Sequence, residues 1–292
     1  VADLDALATA AAALVDAADG LLVTAGAGMG VDSGLPDFRG DEGFWAAYPP
    51  YRHLGVGFTD LANPRWFRVD PTLAWGFYGH RLALYRTTVP HAGFAVLRRW
   101  AARTPRGGFV FTSNVDGQFQ RAGVPEAAVC ECHGAIDWMQ CTRACGHAPW
   151  PADGYAPAVD PETMRVDAGA LPSCPGCGAL ARPAILMFGD DGWDPVRTMG
   201  QERRLQAWLG AVGDPARLVV VECGAGTAVP TVRALGERLA ARGAGLVRVN
   251  PAEPWAPPGA VSIPAGAREA LAAIDRALGD PPPAGPPGTS SG

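Results

Sequence analysis

Three groups of polar or flexible residues in this 292-residue chain have types and spacing suited to chemistry on a bound ligand. In the first, Gly26, Ala27, Gly28 and Gly30 follow the apolar run Leu21–Val23 and precede Asp37, Phe38 and Arg39. A backbone so poor in side chains can approach a diphosphate closely at the end of a strand. The spacing is not the usual dinucleotide fingerprint. Val31 stands where G-x-G-x-x-G needs its last glycine, and no acidic residue follows a second strand about twenty residues on. Taken alone, the glycines also fit a plain tight turn. The second group, Thr112, Ser113, Asn114 and Asp116, lies just past another apolar run, where polar side chains either face a ligand or cap a turn. The third is His133 followed by Gly134. An imidazole that titrates near neutrality suits a general base, although a lone histidine serves equally well as a structural residue.

A fourth group is metallic in character. Cys141, Cys145, Cys174 and Cys177 form two close pairs, and four thiolates complete a tetrahedral zinc site with no position left for substrate. Such a site is structural. The CPGCG run has knuckle spacing, whereas three residues separate the first pair; His147 in place of one cysteine, or a fold that has lost its metal, are the alternatives. Cys130, Cys132 and Cys223 read as small core or strand-end residues. An odd count of seven cysteines, with the amino-terminal VADLDALATAAAALVDAADG reading as a helix and not as a signal peptide, predicts a reducing, cytoplasmic setting.

The Thr24–Gly40 segment resembles the opening motif of the sirtuin family of NAD-dependent protein deacylases, G-A-G-x-S-x-x-S-G-I-P-D-F-R. Gly26, Ala27, Gly28, Ser33, Gly34, Pro36, Asp37, Phe38 and Arg39 agree, while Leu35 and Gly30 depart. FTSNVDGQFQRAG from Phe111, ECHGAIDWMQC from Glu131 and the cysteine set follow in the family's order, so the resemblance runs from about Leu21 to Asn250. It implies NAD as co-substrate, a structural zinc, and transfer of a lysine acyl group to ADP-ribose with release of nicotinamide. Asn114 and Asp116 would line the nicotinamide pocket, and Ser113 stands where the family has glutamine. His133 would deprotonate a ribose hydroxyl after the acyl oxygen has attacked C1′. Phe38 would cover the reactive face and Arg39 order the loop. Gly226 and Thr227 retain part of the family's G-T-S loop, with Ala228 replacing its serine, and Asn250 would meet the adenosine ribose. Phe188 and Gly189 match the substrate-side F-G-E, with Asp190 for glutamate. The departures leave other fates for NAD open: ADP-ribosyl transfer, NAD hydrolysis, deacylation of a small molecule, or a non-catalytic NAD or ADP-ribose sensor.

These residues need a scaffold. Short, wholly apolar runs at Leu21–Val23, Phe109–Phe111, Ala128–Cys130, Ala184–Phe188, Leu218–Val221 and Leu246–Val249 alternate with helical patterns such as Ala92–Trp100 and Thr231–Arg242. That alternation predicts an α/β fold with a doubly wound, parallel Rossmann-like sheet, whose ligands bind beyond the carboxyl ends of the strands. Residues 1–40, 86–136 and 183–279 are assigned to this NAD-binding domain. The helical insertion 41–85 and a zinc-binding module at 137–182 would sit beside it, and the proline-rich tail 280–292 would stay disordered. Phe44, Trp45, Tyr48, Trp75, Phe77 and Tyr78 in the insertion either shape an acyl pocket or pack as ordinary core. LLVTAGAG and VVVECGAG echo each other, which reads as two strand-to-loop turns of similar chemistry. A net charge of −5 argues against direct nucleic-acid binding, and no apolar run is long enough for a membrane span. All 24 basic residues are arginine, so any lysine deacylated belongs to another molecule.

Overall fold

The computed structural model describes residues 3–37, 44–45, 48–53 and 55–279; Phe38, Arg39 and the tail 280–292 lie outside the described residues. Its centre is a sheet of β1 (Gly20–Ala25), β2 (Gly108–Thr112), β3 (Val129–Glu131), β9 (Leu218–Cys223), β10 (Gly245–Val249) and β11 (Val261–Ile263). All neighbours in the order β11-β10-β9-β1-β2-β3 pair parallel. The chain winds one way from β1 to β3 and the other way from β9 to β11, so the order reverses between β1 and β9. Such a switch point opens a crevice at the strands' carboxyl ends.

Both faces of this sheet are covered, which is why β1 and β9 are buried at every position. Val219 and Val221 join Leu21 and Val23 on the face packed by α1 (Leu4–Asp16), α3 (Ala92–Arg103) and α6 (Ala267–Leu278). Leu218, Val220 and Leu22 face α4 (Val196–Val212) and α5 (Thr231–Ala240). Asp3 opens α1 by accepting from the Asp5 amide, and Gly266 precedes the first residue of α6.

The second region is antiparallel. β4 (Gly134–Cys141) lies between β5 (Trp150–Pro151) and β8 (Ala181–Ile185), and a separate ribbon joins β6 (Val159–Asp160) to β7 (Arg165–Val166). The run Ala184–Phe188, expected in the parallel sheet, instead pairs with β4, where Gly134 opposes Ile185 and Ala135 opposes Ala184. Apolar character set the strand but carried no information about its partner. The expected boundaries at 136/137 and 182/183 accordingly fall inside β4 and β8.

Helix α2 (Pro71–Thr87), capped by the Asp70 carboxylate on the Leu73 amide, packs directly on the β6–β7 ribbon. Gly76 makes this possible: a Cβ there would lie 1.9 Å from the Met164 carbonyl oxygen. Phe44, Tyr48, Trp75, Phe77 and Tyr78 share one core with Ile136, Met139 and Ile185. The aromatic insertion and the cysteine module are therefore a single packed unit, and most of its rings are core.

Candidate functional site

The two echoing segments meet. Parallel pairing of β1 with β9 aligns Thr24 with Glu222 and Ala25 with Cys223, so the glycine loops that follow emerge side by side. The Gly28 amide donates to the Gly224 carbonyl at 3.0 Å, and a Cβ on Gly224 would lie 2.3 Å from the Gly28 carbonyl carbon. With φ at +64°, Gly224 also occupies backbone space that suits glycine. The seam is backbone against backbone, and it forms one wall of a cavity of about 560 Å³.

Gly26, Ala27, Gly28, Asp37, Ser113, Asn114, Asp116, His133, Phe188 and Gly226 all line this cavity. Asn114 is fixed from both ends: its amide donates to the Thr112 hydroxyl at 3.0 Å, and its Nδ2 donates to the Gly26 carbonyl at 2.9 Å. Asp116 is 8% exposed, with one carboxylate oxygen accepting from the Gln118 amide. Burial pushes its acid up to about 6, helped by the nearby Glu131 carboxylate.

His133 stands where the two sheets join. Cys132 donates its amide to the Thr112 carbonyl on the parallel side, while the His133 carbonyl accepts from Leu186 beyond β8. Gly134, at φ +77°, lets β8 approach so closely that a Cβ would fall 2.0 Å from the Ala184 carbonyl oxygen. Burial lowers the imidazole pKa, and hydrogen bonding with the Ser113 backbone partly offsets this. The ring is therefore neutral at pH 7, with a nitrogen available to accept a proton.

Three expected site residues stand outside the cavity lining. Asn250 is fully buried, its Nδ2 donating to the Ala225 carbonyl and its Oδ1 accepting from the Ala252 and Glu253 amides. Its hydrogen-bonding capacity goes into joining two loops, not into the cavity. The Thr227 amide and hydroxyl both bond to Glu253 at 2.8 Å. Gly189 makes the left-handed turn after Phe188 instead of facing the cavity.

The opposite wall holds a feature the sequence reading did not single out. Arg81, 6% exposed, lines the cavity on α2 with Tyr78 and Tyr85. Its Nε and Nη2 donate to the Tyr85 hydroxyl, and its guanidinium lies within 6 Å of the rings of Phe58, Phe77, Tyr78 and Tyr85. The buried Tyr78 hydroxyl has no hydrogen-bond partner among the described residues. The i, i+3 and i+7 spacing of Tyr78, Arg81 and Tyr85 on one helix was the available signal.

The four cysteines converge although they come from two segments. The sulfurs of Cys141 and Cys177 are 3.6 Å apart, as are those of Cys145 and Cys174, and all four lie within 4.8 Å of one another. Zinc–sulfur bonds of about 2.3 Å give tetrahedral edges of about 3.8 Å, so the set fits the ion. His147 is outside this set, its ring edge-on to Trp150. Cys130 and Cys132 are core residues beneath the parallel sheet, and Cys223 is core on its other face.

The chain is similar to known proteins. The "NAD-dependent protein deacylase" of Mycolicibacterium paratuberculosis is 31% identical over 233 residues, covering 79% of this chain and 85% of the relative. That of Thermus thermophilus is 32% identical over 261 residues, 86% and 87% of the two chains. A solved Sir2 homolog–NAD complex superposes with a TM-score of 0.70 at 25% identity, covering 95% of this chain and 94% of its own. The Sir2 family's sequence profile matches residues 26–213, and the chain belongs to the Sir2 family.

Proposed function

We propose that this protein is an NAD-dependent protein-lysine deacylase that releases nicotinamide and passes the acyl group to ADP-ribose. One observation carries the reading: Asn114, Asp116 and His133 converge on a cavity walled by two paired glycine loops. The relatives named above bear that activity in their names.

The fit to NAD is made by backbone as much as by side chains. Ala225 and Gly226 line the cavity, and their amides have no acceptor among the described residues; such groups can receive phosphate or ribose oxygens. NAD supplies the electrophilic ribose carbon and the acceptor for the acyl group. Asp116, above about pH 6, offers a carboxylate to the nicotinamide carboxamide. Asn114, locked to Gly26, holds the ribose side of the cleft. His133 takes a ribose hydroxyl proton on the ring nitrogen that faces away from the Ser113 backbone. By the family resemblance, Phe38 would cover the reactive face and Arg39 would order the loop. Cys141, Cys145, Cys174 and Cys177 would hold a zinc ion that fixes the 137–182 module and leaves no coordination position for substrate.

Leu186 and Phe188, both part-exposed at the cavity rim, suit an extended acyl-lysine peptide added along the strand edge. Deeper in, the Arg81 guanidinium and the Tyr78 hydroxyl, which has no hydrogen-bond partner among the described residues, favour an acyl chain that ends in a carboxylate, because both can donate to its oxygens. Four reduced thiols at one site suit a reducing compartment. Among the described residues no helix is long and apolar enough to cross a membrane.

The test is nicotinamide release from NAD with acetyl-lysine peptide, with a dicarboxylic acyl-lysine peptide and with none, following ADP-ribose by mass spectrometry. Peptide-dependent release with O-acyl-ADP-ribose, greatest for the acidic acyl group, is expected. Release without peptide would move the activity to NAD hydrolysis or ADP-ribosyl transfer.

A further inference from the structure

We propose that Arg233 is a positioning residue for the NAD-binding loop, aiming the Gly226 amide into the cavity; the inference rests on the NAD reading above. The loop from Gly224 to Val229 has little of its own to hold it. Thr227 alone among its residues has a hydrogen-bonding side chain, and Ala228 has none to offer. Its anchors come from outside.

Arg233, 6% exposed on the first turn of α5, donates its Nε to the Ala225 carbonyl at 3.0 Å. Asn250 donates its Nδ2 to the same oxygen at 2.9 Å from the other strand end. Two donors on one carbonyl fix the plane of the Ala225–Gly226 peptide. The described peptide bonds are all trans, so the Gly226 N–H points opposite to the pinned oxygen. Ala225 and Gly226 both line the cavity, and the Gly226 amide has no acceptor among the described residues. Clamping the carbonyl therefore presents the amide.

The same guanidinium reaches a second loop. Its Nη2 donates to the Glu253 carbonyl and its Nη1 to the Trp255 carbonyl at 3.5 Å. The Glu253 carboxylate in turn holds the Thr227 amide and hydroxyl. Arg233 thus bridges the loop after β9 to the loop after β10. Arg248 meets the Trp255 carbonyl from below, its charge balanced by Glu222 and Glu237. A planar fork can serve several carbonyls at fixed angles, whereas a lysine ammonium on its flexible stem cannot.

The test uses the 292-residue chain with Arg233→Met and Arg233→Lys, with ADP-ribose titrated by calorimetry and NAD and peptide kinetics measured in parallel. The Met variant is expected to bind ADP-ribose roughly tenfold more weakly, about 1.4 kcal/mol, with KM for NAD rising alike and kcat and peptide KM unchanged. The Lys variant, which keeps the charge and the core packing, is expected to fall between Met and wild type. It decides the matter if the Met variant does not fold. Wild-type ADP-ribose affinity in either folded variant would overturn the anchor, as would equal losses in kcat and peptide KM. Failure of the wild-type chain to bind ADP-ribose would overturn the NAD reading and the anchor with it.

Discussion

The two walls of the cavity are built from different materials. On the parallel-sheet side, glycine loops meet through backbone atoms, with Gly26, Gly28 and Gly224 at separations that admit no Cβ. On the other side, the surface is side chain: Tyr78, Arg81, Tyr85 and Phe58, set in an aromatic core. A backbone wall recognises whatever bears phosphates and ribose and tolerates almost no substitution. A side-chain wall can change its preference one residue at a time. The constant co-substrate and the variable acyl group would each be met by the wall that suits it.

His133 lines the cavity where the parallel and antiparallel sheets join, so its loss should have the largest effect. His133→Ala is expected to lower acyl transfer by about 10²–10⁴-fold while ADP-ribose binding persists, as stopped-turnover assays and calorimetry would show. Retained turnover would remove the base assignment. The next largest effects should separate the walls. Gly224→Ala places a methyl group on the Gly28 backbone at positive φ, and a strain of about 1–3 kcal/mol should appear as weaker NAD binding at unchanged peptide KM. Arg81→Met should do the reverse, lowering kcat/KM for an acidic acyl peptide about tenfold or more relative to acetyl, with NAD KM unchanged. If either variant altered both parameters equally, the division between the walls would fail.

Metal removal tests the side-chain region alone. About one zinc per chain is expected by elemental analysis, and Cys174→Ser should abolish it and lower Tm by loosening the 137–182 module, with residual ADP-ribose binding. The smallest effect is a pH dependence. Asp116 rises from its ordinary 3.8 to about 6, chiefly through burial, so its carboxylate gains a proton as pH falls through 6. NAD turnover should therefore weaken below that value, and Asp116→Asn should abolish this acid limb. The unliganded fold runs the other way. A raised carboxyl pKa means the folded state holds the proton more tightly, so this group's contribution to stability falls as pH rises from 3.8 to about 6.

Much of the backbone wall was legible in the sequence because it depends on local features. An apolar run followed by glycines specifies a strand and its loop, and Asn114, Asp116 and His133 sit immediately past strands or at their junctions. The cysteine pairs were equally plain, since metal geometry overrides sequence distance. Other features required partners far along the chain. Nothing in Ala184–Phe188 says that it pairs with β4, and β11, three residues long, is too short to show a period. Asn250 was assigned to the ligand through the family resemblance, and the sequence did not show that its side chain also meets the Ala225 carbonyl and the Ala252 and Glu253 amides. Arg81 and Arg233 drew no notice in the sequence, because tertiary contacts far along the chain are what bury them.

The junction at His133 and Gly134 has a mechanical consequence. The chain passes from the parallel to the antiparallel sheet at this dipeptide, with one strand ending before it and another beginning within it. Rotation of one sheet against the other would turn about this point, moving the distant rims of the cleft far more than the imidazole. Such a rotation would widen the cleft for a bulky peptide and narrow it again while the proton acceptor stayed near the axis, like the pin of a pair of tongs.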